Sequence, residues 1–248
     1  MKILVINPNT TAAMTESIGA IAKKYAAPGT EITVCSPEWG PRSIEGHFEE
    51  QIAALATIET VVRYRDDFDG FVIACYGDPG VNACREVTDK PVLGIAEASM
   101  HTACLLGHKF SVVTVIERAC ALIEDGVKRV GLSDRCASIR STGMSVLEIE
   151  ENPQQAVVQM VEQGRLAIRD DGAEVICLGC AGMGPLDDQL EEQLGVPVLD
   201  GTACAVKMLE GILAYGKSTS KVRAFAWPEK KELPGCSPLL QSVTSSAD

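Results

Sequence analysis

The chain has 248 residues, 23% of them charged, with a net charge of −12 and ten cysteines. That length supports one large α/β domain or two lobes of about 100 residues with ample core, and the acidic balance without a basic cluster excludes nucleic acid and anionic membranes as partners, leaving a small molecule. The opening apolar run Ile3-Leu4-Val5-Ile6 is too short for a signal peptide, no later run reaches a membrane span, and the cysteines scattered through apolar segments fit buried thiols of a cytoplasmic protein.

Lys2 to Asn7 reads as a buried strand. Asn7-Pro8-Asn9-Thr10-Thr11 supplies turn and cap chemistry for a helix with Met14, Ile18, Ile21, Ala22 and Tyr25 on one face. Glu31 to Cys35 is a second strand, and Ser36 to Gly46 is a loop before a helix that turns Ile52, Leu55 and Val62 inward. The third strand, Gly70 to Cys75, runs apolar into a cysteine and stops at Gly77-Asp78-Pro79-Gly80, a turn that a strand cannot pass through. A helix near Asn82 to Val87, a strand from Pro91 to Ile95 and a helix from Ala98 to Leu106 follow.

The series then restarts. Lys109 to Val115 repeats the pattern of Lys2 to Pro8 at an offset of 107 (109 − 2), and a helix with Cys120, Ile123, Val127 and Val130 on one face ends at Gly131. Cys136 to Arg140 answers the second strand. A helix burying Val157, Met160, Val161, Gly164 and Ile168 leads to Glu174 to Cys180, a second apolar run ending in a cysteine and a glycine-rich turn, 105 positions after the first (180 − 75). Leu186, Leu190 and Leu194 mark the next helical face, and Gly195 to Asp200 echoes Asp89 to Gly94 at 106 (195 − 89).

Four features in one order at a nearly constant offset describe two pseudosymmetric α/β lobes, each a roughly four-stranded parallel sheet flanked by helices, with the active site in the cleft between them. The first lobe is 1–97 plus 201–225, closed by a helix from Thr202 to Tyr215, and the second is 98–200. Residues 226–248 read as a surface extension or tail.

Open parallel sheets bind ligands outside the carboxyl ends of their strands, so each lobe brings one cysteine to the cleft. Related by an approximate twofold axis, Cys75 and Cys180 approach a ligand from opposite sides. This is the geometry for removing a proton from one face of a carbon and returning one to the other, with a thiolate as base and a thiol as acid. The amides at Tyr76-Gly77 and Ala181-Gly182 can hold the negative charge that develops. Cys177 and Cys180 have CxxC spacing, but Cys177 falls inside the strand, no second CxxC exists and the chain has three histidines, so no metal site is expected. No dinucleotide fingerprint, Walker loop or serine-hydrolase elbow is present. Asn9 and Ser43 read equally well as turn and cap residues, and Tyr76 as loop packing.

Ile6-Asn7-Pro8-Asn9-Thr10, Ser43-Ile44-Glu45-Gly46, Ile73-Ala74-Cys75-Tyr76-Gly77-Asp78-Pro79-Gly80 and Leu178-Gly179-Cys180-Ala181-Gly182-Met183 together resemble the hydantoin and allantoin racemases of the aspartate/glutamate racemase superfamily, over residues 1 to about 215. The resemblance implies two pseudosymmetric α/β lobes, no cofactor, catalytic Cys75 and Cys180, and a homo-oligomer. It further implies that Asn9, the Ser43-Ile44 loop, Thr114 and the amides near Gly77 and Gly182 hold the carbonyls and N–H groups of a five-membered ring. The expected activity is inversion of C5 in 5-substituted hydantoins or allantoin. An amino-acid racemase or dicarboxylate isomerase or decarboxylase on the same scaffold is the alternative, and a two-lobed small-molecule binding protein without turnover is a third.

Overall fold

In the computed structural model, which describes residues 1–245, eight parallel strands form two four-stranded sheets. The last three residues of the expected tail lie outside the described residues. The first lobe runs β1 (Lys2–Ile6), α1 (Ala12–Tyr25), β2 (Glu31–Cys35), α2 (His47–Tyr64), β3 (Gly70–Ile73), α3 (Val81–Val87) and β4 (Val92–Gly94), with the strands ordered β2-β1-β3-β4. α4 (Ile95–Leu106) leads into the second lobe: β5 (Phe110–Thr114), α5 (Glu117–Arg129), β6 (Cys136–Ser141), α6 (Val146–Glu151), α7 (Pro153–Asp170), β7 (Val175–Leu178), α8 (Asp187–Leu194) and β8 (Val198–Leu199). Its order, β6-β5-β7-β8, is the first sheet's order advanced by four strands. α9 (Gly201–Ala214) then packs against α4, α1 and β3, and α10 (Pro238–Ser245) against α2.

The two central strands of each sheet explain the continuous apolar runs. Every residue of β3, β5 and β7 is buried, as is β1 after Lys2, because helices cover both faces. β2 and β6 lie at sheet edges and are only partly buried. In each sheet the chain crosses from one side of its first strand to the other, so a topological switch point falls between β1 and β3, and another between β5 and β7. The cysteine runs emerge at these points.

Several local expectations are corrected. Leu55 is 43% exposed, because α2 turns Ala53, Ala56, Thr57, Thr60 and Val61 inward instead. Small residues are needed there: a Cβ on Gly80, at the start of α3, would stand 3.0 Å from the Ala54 carbonyl oxygen. α5 buries Ala119, Leu122, Ile123, Gly126 and Val127, leaving Cys120 half-buried. α6 is an additional helix, started by a Ser145–Glu148 capping box. The terminal segment is docked, with Leu239 and Val243 of α10 packed on the cluster that contains Phe71 and Val61.

Candidate active site

Both switch points open onto one cavity. The first lobe lines it with Asn9, Met14, Ile44, Glu45 and the stretch from Ala74 to Gly77. The second contributes Thr114, Val115, three residues of α5, Val146, and the stretch from Gly179 to Ala181. Of the residues expected at the site, Cys75, Cys180, Asn9, Ile44, Tyr76, Gly77, Thr114 and Ala181 line the cavity. Ser43 and Gly182 are not among the lining residues, although a Cβ on Gly182 would lie 3.8 Å from Cys180 Sγ.

The two cysteines occupy matching places. Ala74 N–H donates to Ile6 O at 2.8 Å, and Gly179 N–H donates to Val113 O at 2.8 Å; each cysteine is the next residue, where sheet bonding has ended. A turn follows in both lobes, closed by Asp78 N–H to Cys75 O at 2.9 Å and by Met183 N–H to Cys180 O at 3.1 Å. Burial pushes the Cys75 thiol up to about 12, opposed by a hydrogen bond from the Gly77 amide and reinforced by the neighbouring Cys180, Asp78 and Glu50. None of the ten cysteines is joined in a disulfide. Cys177 is fully buried in β7 behind the cavity, and burial raises its pKa strongly. Among the described residues no group of His, Cys, Asp and Glu side chains is arranged to hold a metal ion.

Each turn is braced by a buried carboxylate. Asp78, with a left-handed φ of 51°, accepts from Ala96 N–H at 3.0 Å and Glu97 N–H at 2.9 Å, so it caps α4. Burial and then the nearby Glu97 carboxylate raise its pKa to about 7, against the pull of those amides and Arg129. Asp200 caps α9 through Ala203 N–H at 2.7 Å and is likewise raised by burial to about 7.

Asn9 follows β1 and forms an Asx-type turn. Its Oδ1 accepts from Thr11 N–H at 2.9 Å and Asn7 Nδ2 at 3.0 Å, and its Nδ2 faces Met14 Sδ at 3.0 Å. The carbonyl end is thus saturated, and the amide nitrogen is the end left to donate to a ligand. Thr114 gives its hydroxyl proton to Gly179 O at 3.0 Å, fixing the residue before Cys180. Glycine is required at 179, because a Cβ there would lie 2.7 Å from Thr114 Cβ. The Tyr76 hydroxyl shares a 2.7 Å hydrogen bond with buried Ser99.

The remaining wall went unrecognised in the sequence. Ala119, Leu122 and Ile123 of α5 line it together with Val115 and Val146, adding hydrocarbon to the cavity. Glu45 crosses from the first lobe to accept Val146 N–H at 2.7 Å, joining the Ile44 loop to α6. The apolar period of α5 could have revealed Leu122, but the six-residue α6 has too few turns for a period to register.

The fold is a two-lobed α/β chain that presents a thiol from each lobe to one cavity. The family model described as Asp/Glu/Hydantoin racemase matches residues 3–209, and the chain belongs to that family as an enzyme of the racemase class. It is similar to a hydantoin racemase from Pseudomonas sp. (strain NS671), 48% identical over 236 residues and 95% of each chain. Among solved structures, an allantoin racemase from Klebsiella pneumoniae superimposes with a TM-score of 0.94 at 44% identity, covering 99% of this chain and 100% of that one. An allantoin racemase from Pseudomonas fluorescens gives 0.93 at 48%, covering 95% and 100%.

Proposed function

We propose that the protein is a racemase inverting C5 of 5-substituted hydantoins or allantoin, with Cys75 and Cys180 as its two bases. The observation that carries this reading is that both cysteines of the repeat, one from each lobe (1–97 with 201–225, and 98–200), line the same cavity. A hydantoin has its stereocentre C–H beside a carbonyl within a ring. The thiolate takes that proton, the C–H electron pair passes into the ring as an enolate, and the thiol on the other face delivers its proton to C5. The S–H bond formed and the S–H bond broken exchange roles between the two cysteines. The Asn9 amide nitrogen and the amides of the two cysteine turns are the donors for the enolate oxygen.

A free acidic amino acid or dicarboxylate would need a cationic partner, and among the described residues no lysine or arginine lines the cavity, which favours the neutral ring. The hydrocarbon wall favours hydantoins with apolar C5 substituents over the ureido group of allantoin.

The test is proton exchange in D2O, with one enantiomer each of allantoin and 5-benzylhydantoin, following optical rotation and the C5 proton together for wild type, Cys75→Ser and Cys180→Ser. Wild type should lose rotation with deuterium uptake, and each variant should lose racemisation. Unchanged rotation and an unchanged C5 signal in wild type would reject the reading and favour a dicarboxylate enzyme or a binding protein.

A further inference from the structure

The turn after Cys75 is held from several sides. Asp78 ties it to α4, and Glu50 of α2 stands against Gly77, where an added Cβ would lie 3.2 Å from Glu50 Oε1. From the opposite lobe, α5 presses on the same residue: that Cβ would also lie 2.8 Å from Leu122 Cδ2. Arg129, the last residue of α5, donates from Nη2 to Gly77 O at 3.4 Å and pairs with Asp78 Oδ2 at 3.6 Å.

The turn after Cys180 faces the equivalent helix of the first lobe, where its glycines meet hydrocarbon while Tyr25 and Lys24 at the end of α1 reach Asp187 and Asp188 just beyond the turn, each at 3.0 Å. A Cβ on Gly182 would lie 3.7 Å from Met14 Cε, and one on Gly184 would lie 3.5 Å from Ile21 Cγ1, both on α1. The offset of 107 that relates β1 to β5 sets Ala22 on α1 opposite Arg129 on α5 (129 − 22). The pseudosymmetry is therefore broken at this position, where a guanidinium in one lobe answers a methyl group in the other. That guanidinium has a purpose at Cys75, because it holds Gly77 by its carbonyl and the Gly77 amide donates the hydrogen bond that favours the Cys75 thiolate against burial, Asp78 and Glu50.

We propose that Arg129 is a positioning residue that sets the Cys75 turn from the opposite lobe, so that the proton transfers of Cys75 depend on a contact supplied across the cleft. This rests on the two-thiol reading above. When Arg129 is lost, an enantiomer deprotonated by Cys180 forms its enolate normally but waits for Cys75 to complete inversion. Return of a solvent-derived proton from Cys180 then competes. The other enantiomer is deprotonated slowly at Cys75 and, once ionised, inverts.

The experiment compares wild type, Arg129→Met and Arg129→Lys in D2O, starting from each enantiomer of 5-benzylhydantoin separately, with iodoacetamide labelling of Cys75 and Cys180 quantified by peptide mass spectrometry. Arg129→Met should lower kcat about 10- to 100-fold with KM within about twofold, and one enantiomer alone should take up deuterium faster than it inverts. Arg129→Lys, which keeps the charge, should recover part of the rate. Cys75 labelling should slow several-fold relative to Cys180 in Arg129→Met. Equal exchange-to-inversion ratios from both enantiomers, or an unchanged labelling ratio, would overturn the proposal. A wild type that neither exchanges nor inverts would overturn the two-thiol reading instead, and the labelling ratio, which needs no turnover, then decides the effect of Arg129 on Cys75.

Discussion

Asp78 and Asp200 are reciprocal residues: each is a buried carboxylate joining a cysteine turn to the helix after the fourth strand of its sheet, but they come from opposite sides of that joint. Asp78 belongs to the turn after Cys75 and reaches over Gly94 to the start of α4. Asp200 starts α9 and reaches over Gly184, in the turn after Cys180. The offset of 106 pairs Asp78 with Gly184 (184 − 78) and Gly94 with Asp200 (200 − 94), so each lobe keeps one carboxylate and one glycine and exchanges their places. Only one carboxylate fits into each joint.

Filling the glycine side should therefore disrupt the joint. In Gly94→Ala the new methyl group would stand 2.1 Å from Asp78 Cγ, and in Gly184→Ala 2.5 Å from Asp200 Oδ2. Each substitution is expected to destabilise the fold by about 3 kcal/mol, the cost of overpacking a filled site. The urea midpoint should fall with an unchanged m-value; a midpoint equal to wild type would show that the joint has room to spare.

Asp200 should make stability depend on pH. Its folded pKa of about 7 lies above the ordinary carboxyl value of 3.8, so between those values the native state holds a proton that the unfolded chain has lost. Its contribution to stability falls as pH rises through that window and levels off above it. Asn caps a helix as Asp does but does not titrate. Asp200→Asn should match wild type near pH 4 and be the more stable form at pH 8, by on the order of 4 kcal/mol at most. Thermal melts of both proteins at the two pH values check this, and a constant difference between them would contradict it.

Asn9 offers a donor already aimed by Thr11 and Asn7. Asn9→Ala should lower kcat about 100-fold on hydantoins, the effect of removing one preorganised donor to a developing oxyanion, while KM changes little. Steady-state kinetics on 5-benzylhydantoin would show it, and a rise in KM at constant kcat would assign Asn9 to ground-state binding alone.

Leu122 stands in the hydrocarbon wall between the lobes. Leu122→Ala should reduce kcat/KM for 5-isobutylhydantoin by about 10- to 100-fold and that for allantoin far less, since only the former places hydrocarbon against it. Equal losses for both substrates would place the C5 substituent elsewhere.

What the sequence determined by itself were features with local physical causes. Central strands covered on both faces are predominantly apolar, so β1, β3, β5 and β7 stand out, and each cysteine run ends where Gly and Pro stop a strand. Repetition of that pattern gave the two lobes, and the motifs around Asn9, Cys75 and Cys180 gave the family. The tertiary structure alone decided what meets across the cleft. Arg129 reaches Gly77 over 52 positions (129 − 77), Glu45 reaches Val146 over 101 (146 − 45), and Leu122 becomes a cavity wall where α5 meets Gly77 of the first lobe. No period of 2 or 3.6 residues encodes such contacts, because they depend on how two separately wound sheets pack together.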